Sequence, residues 1–203
     1  MIRSINVPSV HASLFGYTDG MNIQSPTPLT DEDFLRWNEG REGKREFVRG
    51  RVLELTGGTL RHAEIMLNLA ILLKQSVSDV SLRVTAAEFG VRTPAGIRYP
   101  DALLHRHDGN GRALATSEPV MVAEILSPSS LSTDFGEKAM EYTALPSLLH
   151  YLVLSQDEPR VWLWSRNDGA FGAPEMLVGP DAVVTLTGLD LTLALCEIYR
   201  GIA

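Results

Sequence analysis

The stretch Pro119-Val-Met-Val-Ala-Glu-Ile-Leu126 constrains this chain more than any other. It is apolar except for Glu124, and Ser127-Pro128 closes it. A short apolar run bounded by turn residues reads as a strand covered on both faces. Strand alternation puts Val120, Val122, Glu124 and Leu126 on one face and Met121, Ala123 and Ile125 on the other. A carboxylate buried there is costly unless it is paired or binds a metal. Any fold for this chain must therefore have a central strand and must give Glu124 a partner.

The rest of the chain is read around that strand. Residues 1–28 are rich in Ser, Pro, Gly, Asn and Thr with no sustained period, and are expected to form an N-terminal extension. Residues 29–203 are expected to form a single domain. Thr30 is a fitting helix N-cap with Asp33 three residues on. Arg45 to Leu55 reads as two strands around Gly50. From Arg61 to Ser76 the apolar spacing is helical, with Ile65, Leu69 and Leu72 on one stripe and Met66 and Leu73 beside it. Arg83 to Thr93 reads as one strand, Asp101 to His105 as the next, and Arg106 to Ser117 as a polar loop. Asp134 is placed as the N-cap of a helix that Pro146 ends. Leu148–Leu154 and Arg160–Trp164 form a strand pair, Ala182–Leu186 a further strand, and Leu191–Tyr199 a closing helix. This order is neither regular βα alternation nor all-β. It predicts a mixed α/β fold, a central sheet flanked by helices.

Composition narrows the function. With 203 residues and 44% hydrophobic content, one domain with a sizeable core is expected. No apolar run approaches the ~20 residues that span a bilayer. No secretory leader is evident, so no membrane partner and a cytoplasmic location are the expectations. Cys196 lies in an apolar stretch, has no second cysteine to pair with, and is expected to pack as a small hydrophobe. The net charge of −7 argues against a nucleic-acid coat but not against a nuclease that grips its substrate with a local arginine patch. The basic residues comprise 15 Arg and three Lys (Lys44, Lys74 and Lys138), so each lysine stands out.

Three residues suggest chemistry. Asp101 follows Tyr99-Pro100 at the start of a strand, where an aspartate more often serves a turn. Glu124 has the alternative of pairing with a buried arginine. Lys138 follows Asp134 by four residues, a good helical ion-pair spacing, yet it shares a face with Tyr142 and Leu145. Two acids on neighbouring strands and one lysine are the minimum kit of a metal-dependent phosphodiesterase. His62, at the start of the long helix, reads more simply as a half-exposed histidine, and Glu46 as a cross-strand charge. His105-Arg-His107-Asp108 has a metal-like look but lies in a polar loop and lacks further partners. A phosphate loop, a GxSxG elbow and an HExxH motif are absent.

As an ordered set, several segments resemble the Uma-two family, a bacterial group of restriction-type endonucleases. They are Arg45 to Gly58, His62 with Asn68-Leu69, Gly90-Val-Arg92, Tyr99-Pro-Asp101, Val122-Ala-Glu-Ile-Leu-Ser-Pro-Ser129, Asp134 with Glu137-Lys138, Tyr142, Leu145-Pro-Ser147 and Tyr151-Leu-Val153. The resemblance implies the PD-(D/E)xK nuclease superfamily and a restriction-endonuclease-like core. The motif's first part falls on Pro100-Asp101 and its second acid on Glu124. Leu126 stands where the lysine belongs, and the resemblance assigns that role to Lys138 on the following helix. It further implies Mg²⁺ or Mn²⁺ held by Asp101, Glu124 and the Ile125 backbone carbonyl, with Lys138 orienting the attacking water. Glu46, His62 and Tyr142 are candidates for supporting roles. Arg61, Arg92 and Arg98 are candidate phosphate contacts, chosen for nearness in sequence. DNA is the implied substrate and a homodimer the implied assembly. The competing reading is a non-catalytic binding or regulatory protein on the same fold. A paired-carboxylate glycosidase ranks last, because the acids lack flanking aromatic residues.

Overall fold

The computed structural model describes residues 30–127 and 130–202; the N-terminal extension lies outside them, as do Pro128 and Ser129. In chain order the elements are α1 (Asp31–Asn38), β1 (Lys44–Val48), β2 (Arg51–Leu55), α2 (Leu60–Ser76), β3 (Leu82–Ala86), β4 (Gly90–Thr93) and β5 (Gly96–Arg98). Next come β6 (Ala102–Arg106), β7 (Ala115–Thr116), β8 (Pro119–Ile125), α3 (Leu131–Phe135), α4 (Glu137–Thr143), β9 (His150–Leu154) and β10 (Arg160–Asn167). The chain closes with β11 (Ala170–Phe171), β12 (Glu175–Val178), β13 (Val183–Leu186), β14 (Leu191–Ala194) and α5 (Leu195–Ile198). The fold is mixed α/β. No described helix is long and apolar enough to cross a membrane.

The apolar run forms β8, and all of its residues are buried. It sits in the middle of the larger sheet, ordered β11-β10-β9-β8-β6-β3, with β12 also on β10. Its neighbours are antiparallel β6 and parallel β9, with Glu124 opposite Val153. A parallel pair needs a long crossover, which α3 and α4 provide. The expected alternation holds from Met121 onward, but Val120, expected on the Val122 face, packs with Met121, Ala123 and Ile125, where the β6–β8 register shifts. Met121, Ala123 and Ile125 pack with Ile65, Leu69 and Leu73 of α2 on one face of the sheet. Val122 and Leu126 pack on the other face with Tyr142, Tyr151 and Val153.

A smaller sheet, ordered β2-β1-β5-β4-β7, carries α1 through Phe34, Leu35, Phe47 and Ile97. Two of the chain's passages between the two sheets lie at residues 87–89 and 99–101. At the first passage Ala87 adopts a positive φ of 59°, and its N–H donates to the carbonyls of Pro100 and Asp101 in the second. These passages bring Asp101 to the junction of the sheets.

Four expectations are corrected. Arg83 to Thr93 is two strands in different sheets, because the chain turns at Ala87. Asp134 belongs to α3 rather than capping α4. Gly136 separates the two helices, and a Cβ there would lie 2.6 Å from the Ser132 carbonyl oxygen. The segment Leu191–Ala194 is a strand paired with β13, where alternate burial of Leu191 and Leu193 reveals the period of two; only Leu195–Ile198 is helical. Cys196 is exposed rather than packed.

One buried ionic cluster joins the small sheet to α4. Arg98, 2% exposed, places Nη1 2.9 Å from Glu46 Oε2 on β1. Its Nε and Nη2 each donate to the Glu141 carboxylate on α4 at 2.8 Å. The Tyr99 N–H donates to Glu46 Oε1 (3.2 Å) and the Thr93 hydroxyl to Glu141 (3.4 Å). Removing one partner of a buried pair leaves uncompensated charge, at a cost of about 3–5 kcal/mol. Arg98→Ala should therefore destabilise the fold by about that amount in urea titration, and a loss within ~0.5 kcal/mol of wild type would contradict the clamp.

His150 is a second buried polar group. Its Nε2 donates to the Thr187 carbonyl (2.9 Å) and its Nδ1 accepts from the Ser165 hydroxyl (3.1 Å). Burial holds its pKa below the usual 6.5, against the pull of the Thr187 carbonyl. The unfolded chain then binds a proton that the folded chain resists. The neutral form's stability is complete above pH 6.5 and is lost as pH falls below it. Denaturant midpoints measured from pH 7.5 to about 5 should fall, and His150→Gln should make that decline shallower.

Candidate active site

Asp101, Glu124, His62, Lys44, Asp134 and Lys138 line one cavity of about 510 Å³ at the junction of the sheets. Asp101 lies immediately before β6 and is 6% exposed. Its Oδ2 accepts the Ile125 N–H at 2.8 Å, which ties it to β8. His62 Nε2 lies 3.0 Å from the same oxygen, and Lys44 Nζ is 3.7 Å from Oδ1. Burial pushes the Asp101 carboxyl up, but His62, the Ile125 amide and Lys44 outweigh it and hold the group below its usual range. Asp101 is thus an anion at neutral pH.

Glu124 is 4% exposed. Its Oε1 accepts from the Tyr142 hydroxyl (2.9 Å) and lies 3.1 Å from Lys138 Nζ; Oε2 takes part in neither contact. Burial pushes its carboxyl up to about 8, with Lys138 pulling the other way. Lys138 stands in the first turn of α4, its Nζ also 3.1 Å from Asp134 Oδ1. Burial opposes its charge, but Glu124, Glu46 and Asp134 prevail and hold it above the ordinary lysine range. Lys138 thus pairs with Asp134 of α3 across Gly136 and also faces the buried acid.

His62 is set by the start of α2. The Thr59 hydroxyl accepts the His62 N–H (3.2 Å) as helix cap and also donates to Gln156, whose amide donates to the Leu126 carbonyl at the end of β8. Gly58 lies against the imidazole; a Cβ there would come within 2.9 Å of its Cγ and Nδ1. The glycines before α2 thus make room for His62 as well as breaking the chain.

The remaining sequence candidates are scattered. Ile125 lines the cavity and gives its N–H to Asp101. Tyr142 holds Glu124. Glu46 is buried on Arg98, so it is more than a surface cross-strand charge. Arg98 is not exposed to a phosphate: it is sealed between Glu46 and Glu141. Arg92 pairs with Glu32 of α1 at 2.8 Å and lines a different cavity, shared with His105 and His107. Arg61 is exposed on the first turn of α2, outside the lining of the acid cavity. Nearness in sequence misplaces Arg92 and Arg98, which lie on β4 and β5 of the small sheet, because the chain changes sheets between them and the acids. Among the described residues no three or more His, Cys, Asp or Glu side chains converge in a metal-binding group, His105-Arg-His107-Asp108 included.

Sequence reasoning leaves two charged cavity residues, Lys44 and Asp134, out of the site. Asp134 was read as a helix cap. Lys44 carried one usable signal, its place among only three lysines.

The fold is mixed α/β, with two acids and a lysine at the junction of its two sheets. A crystal structure titled "a putative nuclease belonging to DUF820", from Anabaena variabilis, aligns with a TM-score of 0.71 at 18% identity, covering 87% of this chain and 100% of that one. The two share a fold. Two uncharacterized proteins of Synechocystis sp. are also similar. One is 26% identical over 183 residues, 88% of this chain and 96% of the relative; the other is 25% identical over 141 residues, 67% and 80% respectively. The Uma2 family model, described as "Putative restriction endonuclease", matches residues 31–195, and the chain belongs to that family.

Tyr142→Phe should remove one of two donors to Glu124. With the Glu124 carboxyl pushed up to about 8, this bond is close to a neutral one and contributes about 0.5–1.5 kcal/mol at pH 7, and urea titration should register a loss of that order. An unchanged midpoint would mean that Lys138 alone satisfies the carboxylate.

Proposed function

We propose that the protein is a divalent-metal-dependent endonuclease that hydrolyses DNA phosphodiester bonds at the Asp101–Glu124–Lys138 cavity. The observation that carries this reading is that two acids and a lysine from three separate segments of the chain line one cavity, with Lys138 Nζ on Glu124 Oε1. Family membership supports the reaction class.

The donors fit a hard cation. Mg²⁺ prefers oxygen ligands, retains several waters and needs only one or two carboxylates. Asp101, with its anionic form favoured, and Glu124, with Oε2 outside its two contacts, meet that need. The Ile125 carbonyl is the proposed backbone ligand. When bound, the ion supplies Lewis-acid polarisation of the phosphate and a water of lowered pKa.

The chain's own residues do the rest. The His62 Nε2–H and the Ile125 N–H hold the Asp101 carboxylate in one orientation. The Tyr142 hydroxyl fixes Glu124. Lys138 donates to the attacking water and offsets the negative charge that builds on the phosphate oxygens as the P–O bond breaks. DNA is the proposed substrate, and a second copy of the chain would bring a second site to the opposite strand.

A non-catalytic role on the same fold is the second reading. It is favoured by the double commitment of Lys138 to Glu124 and Asp134, both at 3.1 Å. Plasmid cleavage in Mn²⁺ and then Mg²⁺ separates the two. Wild type should cut, while Asp101→Ala and Lys138→Ala should each lose at least about 100-fold. Equal cutting by both variants would sink the assignment. A wild type that neither cuts nor binds Mn²⁺ in calorimetry would favour the non-catalytic reading.

A further inference from the structure

The acid cavity adjoins a second depression of about 340 Å³. Gly43, Lys44, Ala87 and Tyr99 border both, so Lys44 and Tyr99 form their common wall. Beyond that wall stand Arg41 and Arg45. The Arg41 guanidinium lies 4.4 Å from the centre of the Trp37 ring, and its Nε donates to the Trp37 carbonyl at 2.6 Å. The Arg45 guanidinium lies 5.7 Å from the same ring and 3.5 Å from Glu54. Three cations within five residues are thus held at one lip, two of them over an aromatic face.

This placement answers an electrostatic difficulty. The chain carries a net charge of −7, and Asp101, Glu124 and Asp134 concentrate acid in the cavity itself. A polyanion would be repelled without a compensating basic surface nearby. Glu39 and Glu88 border the second depression, so its three cations outnumber its acids. Lys44 suits a phosphate contact. Among the described residues its ion pair is the long one to Asp101 at 3.7 Å, with 32% of its side chain exposed. Lys138, with 11% exposed, is locked between two acids.

We infer that Arg41, Lys44 and Arg45 form the track along which one strand of the nucleic acid leaves the acid cavity, each contacting backbone phosphate. The inference rests on the nuclease reading for its substrate class. Lys44 contacts a phosphate beside the cavity, and Arg41 and Arg45 contact those further along. The contacts are to the backbone, so the track is indifferent to base sequence.

The test is equilibrium binding of a short labelled DNA duplex by fluorescence anisotropy across a salt series, with Ca²⁺ replacing Mg²⁺ so that binding alone is read. Arg41→Gln/Arg45→Gln should weaken binding, and the log–log salt slope should fall by about 1.8, roughly 0.9 for each lost phosphate contact. Arg41→Lys/Arg45→Lys should keep most of the slope. Lys74→Gln, on the exposed last turn of α2, should leave it unchanged. If the glutamine pair melts early, Arg41→Glu alone at an exposed position carries the same test. Wild-type affinity and slope in the folded glutamine variant would overturn the track, as would a wild type that binds no duplex. A reduced slope in a protein that cuts no plasmid would leave the track standing and overturn only the nuclease reading.

Discussion

The Arg98 guanidinium, closed between Glu46 and Glu141, is the contact on which the arrangement of the site depends. It ties β1 of the small sheet to α4 at the flank of the large one. On one side of that tie, β1 carries Lys44; on the other, α4 carries Lys138 and Tyr142. The cavity exists where these parts meet. A buried cluster of two carboxylates and one guanidinium is weak evidence for stability as such, since apolar residues of equal volume often do as well. Its geometric demand is what matters. A bidentate guanidinium–carboxylate pair holds only a narrow range of orientations, and so it fixes how α4 approaches the small sheet.

Glu124 shows the same logic within the large sheet. A carboxylate in a fully buried central strand pushes its own pKa up to about 8. Lys138 and Tyr142 are its compensation, and both come from the crossover that the parallel β8–β9 pairing requires. Topology and chemistry are therefore coupled. The connection that completes the sheet is also the helix that supplies the cation. This accounts physically for a lysine outside the strand, since position 126 is Leu126, part of the core on the Tyr142 side.

Much of this was legible along the chain because it is written in local periodicity. The alternation of Met121, Ala123 and Ile125 against Val122 and Leu126, the long helix α2 and the β9–β10 pair all follow from spacing alone. Glu124 stood out because a carboxylate conflicts with its apolar surroundings, Lys138 because lysine is rare in this chain and shares a face with Tyr142 and Leu145, and Asp101 because it opens a strand after Tyr99-Pro100. What misled was equally local. Leu191 to Tyr199 has apolar spacing that serves a strand and a helix alike, and only pairing with β13 decides for the strand. Arg83 to Thr93 looks continuous because a positive φ at Ala87 leaves no mark in residue type.

The sequence by itself determined that a central strand carries a buried acid, that a second acid begins a neighbouring strand, and that a lysine follows on a helix. It also carried the ordered motifs of the family to which the chain belongs. The tertiary structure alone decided which other charges join them. Lys44 reaches Asp101 across 57 residues of chain because the backbone passes from one sheet to the other beside it. Arg98, only three residues from Asp101, is instead sealed away between two acids. Distance along the chain orders residues within an element. Once the chain changes sheets, proximity is set by packing, and no local pattern encodes it.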